Sequence, residues 1–429
     1  MDFIAELEWR GMLHQLTPGI REHLAEGPRK AYIGFDPTAP SLTIGNYVQL
    51  MLLTHWMRAG HHAVVLFGGA TGRIGDPSGR DKEREMKPYE ELDENLRHQQ
   101  VQMEKLLGGN AGAMSVVNNL DFYRDMNVLH FLRDVGQTLT VSYMLSKDSV
   151  QKRLDTGMTF TELSYQLLQG YDFQLLYADH GVTVQMGGSD QWGNITSGTE
   201  FVRRNLEGKA FAVTTPLLTK ADGSKFGKSA AGNIWLDAEL TSPYDFYQFW
   251  LRSDDADVPT YLKYFSLRGK EEILADCATV EAHLAGEDRY REITAIRTAL
   301  AAELTRRIHG EEGLTTAERV TNLLYGRGAT AEDLRALDAR ALRSLSGNIP
   351  TYEIDRSRLP GGIMDLLAEH TDIVSSKSEA KRAVQGNAIS VNKEKVTDAD
   401  AVVSEGDLLH DRFLLLENGK KKRYLLILA

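Results

Sequence analysis

Short apolar runs and longer periodic stretches alternate through the first half of the chain. Ala31–Phe35 and Ala63–Phe67 have the character of buried strands, and each passes into a turn rich in glycine, proline or polar residues. Between them Ile44, Val48, Met51, Leu52 and Trp56 recur at helical spacing, which predicts a helix from about Ile44 to Arg58. Strand, helix and strand within so short a length form the crossover unit of a parallel sheet. A second such region runs from Phe160 to Gly198, where a long helix leads into Val182–Met186 and another glycine turn. From Pro243 to about Arg343 helical periodicity dominates, with loops expected at Ser253–Pro259 and Gly310–Thr316. Ser346–Pro360 reads as a linker. The tail from Gly361 to Ala429 reads as a small module, helix first and short strands after.

A length of 429 residues leaves room for several domains. The net charge of −11 excludes a surface that is basic throughout and built to wrap nucleic acid. It does not exclude a local patch, and from Arg356 onward twelve basic side chains face eleven acidic ones. The single cysteine, Cys277, excludes an internal disulfide and a Cys/His zinc cluster. Met1–Arg10 carries acids and no apolar core, unlike a signal peptide. No stretch approaches the ~20 apolar residues of a membrane helix, so no membrane partner is expected and the cytoplasm is the expected compartment.

Several common chemistries are missing. The turn Gly68–Gly75 never spaces its glycines as a dinucleotide fingerprint does. Gly227-Lys228-Ser229 resembles the end of a P-loop, but Asp222 stands where that loop needs glycine. No nucleophile elbow or zinc-protease helix occurs.

Three constellations remain. In Phe35–Asn46 a strand gives way to a helix start, where free backbone N–H groups favour an anion. Thr38 and Thr43 offer hydroxyls there and Gly45 allows close approach, although for the segment taken alone a plain helix cap by Ser41 or Thr43 is favoured, since caps are common and anion sites few. In the second, Tyr165, Gln169 and Asp172 form a polar stripe on an otherwise apolar helix. At ~100° per residue they fall within about 60° of one another. A stripe lining a pocket is favoured over a purely structural network, and a buried Asp172 needs a donor. The third, Thr219–Ser229, carries three lysines and little to pack, as a mobile cationic loop or a plain surface loop would.

Taken together and in this order, these segments closely resemble the bacterial-type tyrosyl-tRNA synthetases, class I aminoacyl-tRNA synthetases. The resemblance rests on Tyr32–Asn46, Gly68–Gly79 (GGATGRIGDPSG), Phe160–Phe173 (FTELSYQLLQGYDF), Gly187–Ile195 (GGSDQWGNI) and Lys225–Ser229 (KFGKS), and it covers nearly the whole chain. The family's usual His-Ile-Gly-His is Thr43-Ile44-Gly45-Asn46 here, and its Lys-Met-Ser-Lys-Ser is Lys225-Phe226-Gly227-Lys228-Ser229.

The resemblance implies an α/β fold: a Rossmann-like parallel-sheet catalytic domain over residues 1–215 with a dimer-forming insertion. A linker with the KFGKS loop follows at 216–242, then a helical domain at 243–345, a linker at 346–360 and a small α+β RNA-binding module at 361–429. It implies activation of L-tyrosine by ATP with Mg²⁺, then transfer to the 3′ end of tRNA(Tyr), by a homodimer. Thr38, Thr43, Asn46, Lys225 and Lys228 would carry the catalytic roles. ATP would contact Gly34, Asp36, Gly45, Asn46, Gly188, Asp190, Lys228 and Ser229. Tyrosine would lie with its phenol between Tyr32 and Asp172, its ammonium at Asp76, Tyr165 and Gln169, and Gln191 near its carboxyl group. In the tail, Lys377, Lys381 and Arg382 would meet RNA. The alternatives are the sister tryptophanyl enzyme on the same fold and a synthetase-like RNA-binding protein that has lost catalysis. Asp172 facing Tyr32 argues against the first, and the retained lysines argue against the second.

Overall fold

A computed structural model describes residues 1–79, 85–108, 113–154, 157–229, 232–326, 329–419 and 422–429. The chain forms two compact units, Met1–Asp237 with Ser253–Arg297, and Ala238–Arg252 with Thr298–Ala429.

The first unit is built on a six-stranded sheet. Its strands are β1 (Gln15–Leu16), β2 (Lys30–Phe35), β3 (His62–Phe67), β4 (Met114–Asn118), β5 (Val182–Gly188) and β6 (Phe211–Thr215), in the order β1-β6-β5-β2-β3-β4. β2 to β6 run parallel and β1 pairs antiparallel to β6. Nearly every residue of β3 and β5 is buried, as parallel strands covered on both faces require. The chain builds outward from β2 to β4 and returns on the other side of β2 as β5. The strand order therefore reverses between β2 and β5, and the carboxyl ends of those strands border the crevice where such sheets bind ligands.

Four helices position the site: α1 (Ile44–Arg58), α2 (Tyr89–Leu107), α3 (Phe160–His180) and α4 (Trp192–Leu206). α1 spans the residues its periodicity predicts. α3 opens with a capping box between Thr159 and Glu162 and ends at Gly181 in the left-handed conformation, φ 66°. Glu162 also receives both Nη atoms of Arg153, at 2.8 and 3.0 Å, in a buried bidentate pair. α3 and α4 meet at glycines. A Cβ on Gly170 would stand 2.6 Å from the Phe201 ring, and one on Gly198 would stand 2.8 Å from that of Phe173. α3 is not apolar-buried throughout: Phe160, at its first turn, is 68% exposed. Val128, Leu129, Val141 and Leu154 are exposed in the same insertion between β4 and α3.

Residues 243–345 divide between the two units, with Ser253–Arg297 in the first. The helical run Tyr290–Tyr325 is interrupted at Gly310, φ 80°, but the loop expected over Gly310–Thr316 is not formed: helix resumes at Glu311. In the second unit a five-stranded sheet covers a core that includes Ile363, Leu366, Val384, Leu414 and Leu426. One of its strands, Thr351–Ile354, lies within the segment that reads as a linker. It pairs parallel with Lys422–Leu428 and buries Ile354, so an apolar anchor in a Pro-containing stretch makes an edge strand. No helix of the described residues is long and apolar enough to cross a membrane.

Candidate active site

A cavity of about 440 Å³ opens at the carboxyl ends of β2 and β5. It is lined by twelve of the expected residues: Tyr32, Gly34, Asp36, Thr38, Asn46, Asp76, Tyr165, Gln169, Asp172, Gly188, Asp190 and Gln191. β2 delivers Tyr32 and Gly34, with Asp36 directly after it, and α3 delivers the polar stripe Tyr165, Gln169 and Asp172. β5 ends on Gly188, and the turn after it delivers Asp190 and Gln191.

Asp172 is buried, and both its carboxylate oxygens are already engaged. Oδ1 accepts from the Tyr123 hydroxyl at 2.7 Å and Oδ2 from Asn119 Nδ2 at 2.9 Å. Burial pushes its pKa up to about 7, against the lowering effect of those two donors. Beside it, Tyr32 is fully buried, with its ring edge-on to Phe173 at 5.3 Å. Its hydroxyl has no hydrogen-bond partner among the described residues. Burial, with Asp172 nearby, holds the Tyr32 phenol well above its usual range, so it stays protonated. An unpaired hydroxyl and a half-satisfied carboxylate in a dry recess are what a ligand with its own phenol would complete.

A second acidic group is Asp76. Its Oδ2 accepts from Gln191 Nε2 at 2.6 Å and its Oδ1 from the backbone N–H of Ser78 at 2.9 Å. Between the two, Tyr165 donates its hydroxyl to Asp36 Oδ2 at 2.9 Å, and Asp36 Oδ1 accepts from Thr71 at 2.7 Å. Gly68 has to be glycine here, since a Cβ would lie 2.0 Å from Asp36 Oδ1. Asp190 is held above its usual range by burial first and by Asp76 second. Four carboxylates thus face the cavity, and among its described lining residues there is no Lys, Arg or His. Such a field attracts an ammonium group and requires added cations before it accepts a polyphosphate.

The helix-start residues are disposed unequally. Thr43 caps α1: its hydroxyl donates to Asn46 Oδ1 at 2.8 Å, its backbone N–H donates to the same oxygen at 2.9 Å, and Asn46 N–H returns to Thr43 Oγ1. This commits the oxygen of the Asn46 amide to the cap. Asn46 and Thr38 line the cavity, whereas Thr43 and Gly45 do not.

Lys225 and Lys228 are exposed and lie outside the cavity lining, while the loop between them is anchored. Phe226 is buried and packs against Tyr261 at 5.3 Å and Phe265 at 5.5 Å. Gly227, φ 86°, sits against Ile44 and Gly45, where a Cβ would approach Ile44 Cγ2 to 2.8 Å. The loop therefore has something to pack: one aromatic plug roots it beside the start of α1. Ser229 ends a two-residue strand, and its side chain falls outside the described residues.

The tail residues lie on helix α5 (Lys377–Gln385) in the second unit. Lys381 and Arg382 are exposed. Lys377 instead contacts Asp365 at 2.5 Å and Glu369 at 2.9 Å.

Sequence patterns alone do not single out Asn119, Tyr123, Thr71 and Asn194. Asn119 is fully buried and donates to both Thr71 and Asp172, and its own Oδ1 accepts from Ala70 N–H. The one signal for it is its place directly after β4, at the same end of the sheet as Asp36 after β2.

Comparison with known proteins places this geometry. Residues 24–326 match the family model of class I tRNA synthetases (W and Y), and residues 342–427 match that of the tyrosine–tRNA ligase SYY-like C-terminal domain. Tyrosine–tRNA ligase of Cytophaga hutchinsonii is 51% identical, covering 99% of each chain, and that of Porphyromonas gingivalis is 48% identical over the whole of both. A C-terminally truncated mitochondrial tyrosyl-tRNA synthetase of Aspergillus nidulans superposes with a TM-score of 0.66 at 30% identity, covering 76% of this chain and 94% of that one. The chain belongs to the class I tRNA synthetases (W and Y), and its parallel-sheet domain is consistent with their fold. Its C-terminal match and its relatives place it in the tyrosine branch of that class, not the tryptophan branch. It is an enzyme, a tyrosine–tRNA ligase.

Proposed function

We propose that the cavity binds L-tyrosine phenol-first and activates it with ATP before transfer to the 3′ end of tRNA(Tyr). The supporting observation is that an unpartnered Tyr32 hydroxyl and the buried Asp172 carboxylate lie near one another in the same cavity. The substrate phenol donates to Asp172 and accepts from Tyr32, so an amino acid lacking that hydroxyl leaves the Tyr32 hydroxyl unpaired and Asp172 short of a third donor. Sites that hydrogen-bond a substrate hydroxyl reject the analogue without it far more strongly than apolar pockets reject an extra methylene, and tyrosyl-tRNA synthetases are the standard example of that asymmetry. The ammonium group meets Asp76, Tyr165 and Gln169, and Gln191 lies towards the carboxyl group.

ATP fills the rest of the cavity, along Gly34, Asp36, Asn46, Gly188 and Asp190. A Cβ at Gly188 would lie 2.6 Å from Asp190 Oδ1, so glycine there keeps the backbone open to a nucleotide. The tyrosine carboxylate attacks the α-phosphorus and pyrophosphate leaves; the terminal ribose hydroxyl of tRNA then takes the tyrosyl group and AMP leaves. No side-chain nucleophile is needed, and catalysis consists of positioning and charge stabilisation. Thr38 and Asn46 act from the cavity wall. Lys225 and Lys228 supply cations by closing the loop about its Phe226 anchor, with Ser229 beside them. Thr43 acts mainly as the cap that orients Asn46, and Gly45 keeps the helix start open. Mg²⁺ enters with ATP as part of the substrate.

The exposed apolar side chains at Val128, Leu129, Val141, Leu154 and Phe160 support a homodimer formed through the insertion. Lys381 and Arg382 support RNA binding by the C-terminal module, and Lys377 joins them if its acidic partners yield. The cytoplasm is the compartment that suits these substrates.

Calorimetric titration with tyrosine, phenylalanine and tyrosinol tests the pocket. Tyrosine and tyrosinol should bind and phenylalanine should not. Equal binding of phenylalanine and tyrosine would remove Tyr32 and Asp172 from substrate recognition.

A further inference from the structure

The loop 37–42, between β2 and α1, holds two prolines and lies outside the sheet. At its far end the Leu42 carbonyl accepts from Leu236 N–H at 2.8 Å, and along its length three amide side chains of α2 hold its backbone. Asn95 Nδ2 donates to the Pro37 carbonyl at 3.1 Å, and Gln99 Nε2 donates to the Ala39 carbonyl at 2.7 Å. Gln102 Oε1 accepts from Leu42 N–H at 3.0 Å, while its Nε2 donates to the Ser41 hydroxyl at 2.9 Å. Positions 95, 99 and 102 are spaced i, i+4 and i+7, so they share one helical face within about 60°. Asn95 and Gln99 are 4% and 3% exposed, far below what amides on a solvated helix show. Asn95 and Gln99 are buried and Gln102 is half-buried, and each spends at least one polar atom on this loop; Gln99 Oε1 is left without a partner among the described residues.

The loop carries Thr38 into the cavity and ends at the cap of α1. We infer that Asn95, Gln99 and Gln102 are positioning residues that clamp loop 37–42, holding Thr38 in register for the ATP phosphates. The inference rests on the proposed role of Thr38 in adenylate formation. Gln99 also lines the cavity, but the clamp's bonds go to Pro37, Ala39, Ser41 and Leu42, whereas the Asp172 carboxylate takes its donors from the segment after β4. Loosening it should therefore slow the chemical step and leave tyrosine binding alone. A displacement of about 1 Å at a reacting group can cost on the order of 100-fold in rate.

The test is single-turnover adenylate formation and equilibrium tyrosine binding on the full-length enzyme. Gln99→Met and Gln102→Met break the clamp at two separate points, so loss of fold in one leaves the other to decide. Each should slow adenylate formation about 10- to 100-fold, with tyrosine affinity within about twofold of wild type. Thr38→Ala should slow it too, and Thr38→Ala with Gln99→Met should be little slower than Thr38→Ala alone, as for residues acting through one another. A slow Thr38→Ala beside full-rate clamp variants would overturn the clamp and leave the role of Thr38 standing. A full-rate Thr38→Ala would overturn the role of Thr38 itself, and the clamp's route with it. Clamp variants that weaken tyrosine binding as much as they slow the chemistry would show general loosening, and would also overturn the inference.

Discussion

Tyr123 donates its hydroxyl to Asp172 Oδ1 at 2.7 Å, so the carboxylate at the floor of the cavity is tuned by a residue from outside the helix that carries it. Asp172 is faced by Tyr32 and Asp36 from β2 and its end, by Asn119 and Tyr123 from the segment after β4, and by Tyr165 on its own helix. Its pKa of about 7 in the free enzyme lies above the ordinary carboxylate value because burial outweighs the donors. A substrate phenol donates best to the ionised form. Tyrosine kcat/KM should therefore rise with pH through about 7 and level off above it. Tyr123→Phe removes a donor that lowers this pKa, so the rise should move to higher pH. A pH profile of kcat/KM for both enzymes checks it, and a midpoint that stays in place would show that Tyr123 does not tune Asp172.

Asp172→Asn should be the most damaging single change in the tyrosine recess. A hydrogen bond to a charged group contributes about 1.5–3 kcal/mol, on the order of 10- to 150-fold. Tyrosine KM in pyrophosphate exchange should rise by that factor, and preference for tyrosine over phenylalanine should shrink with it. An unchanged ratio would place discrimination elsewhere.

The lysine loop should act on rate. Lys228→Ala should lower the rate of adenylate formation while tyrosine affinity stays near normal, because the charge it supplies matters when phosphate charge develops. Phe226→Ala should act in the same direction by removing the buried plug against Tyr261 and Phe265. Stopped-flow measurement of the activation step distinguishes this from a binding defect.

The helix crossing makes a purely structural forecast. Gly198→Ala puts a Cβ 2.8 Å from the Phe173 ring, next to the Tyr32 contact. Overpacking of this kind costs about 1–3 kcal/mol. A lower Tm, read by calorimetry, should accompany it.

In the tail, Lys381→Glu with Arg382→Glu should raise the KM for tRNA and flatten its dependence on salt, while pyrophosphate exchange stays at the wild-type level. Charging assays at two ionic strengths measure this.

Much of the site is legible in the sequence because its residues sit at predictable ends of predictable elements. The stripe Tyr165, Gln169 and Asp172 follows from helical spacing alone, and Asp36 and Gly188 follow from where the strands stop. The partners that satisfy the stripe are not legible. Asn119 and Tyr123 reach Asp172 from 49 or more residues away, through β4, and a contact of that range depends on strand order, which periodicity does not encode. The loop Thr219–Ser229 reads as unpacked because its one aromatic, Phe226, packs against Tyr261 and Phe265 of a helix well beyond the loop. Thr351–Ile354 reads as linker for the same reason: its strand partner is at the far end of the chain.

The most direct measurement is ATP–pyrophosphate exchange with the purified full-length protein, given tyrosine, tryptophan and phenylalanine in separate reactions. A recess floored by Tyr32 and Asp172 should support exchange with tyrosine and leave the other two near background. Exchange with tryptophan or phenylalanine at a rate comparable to tyrosine, or none with tyrosine, would contradict the assignment of this cavity.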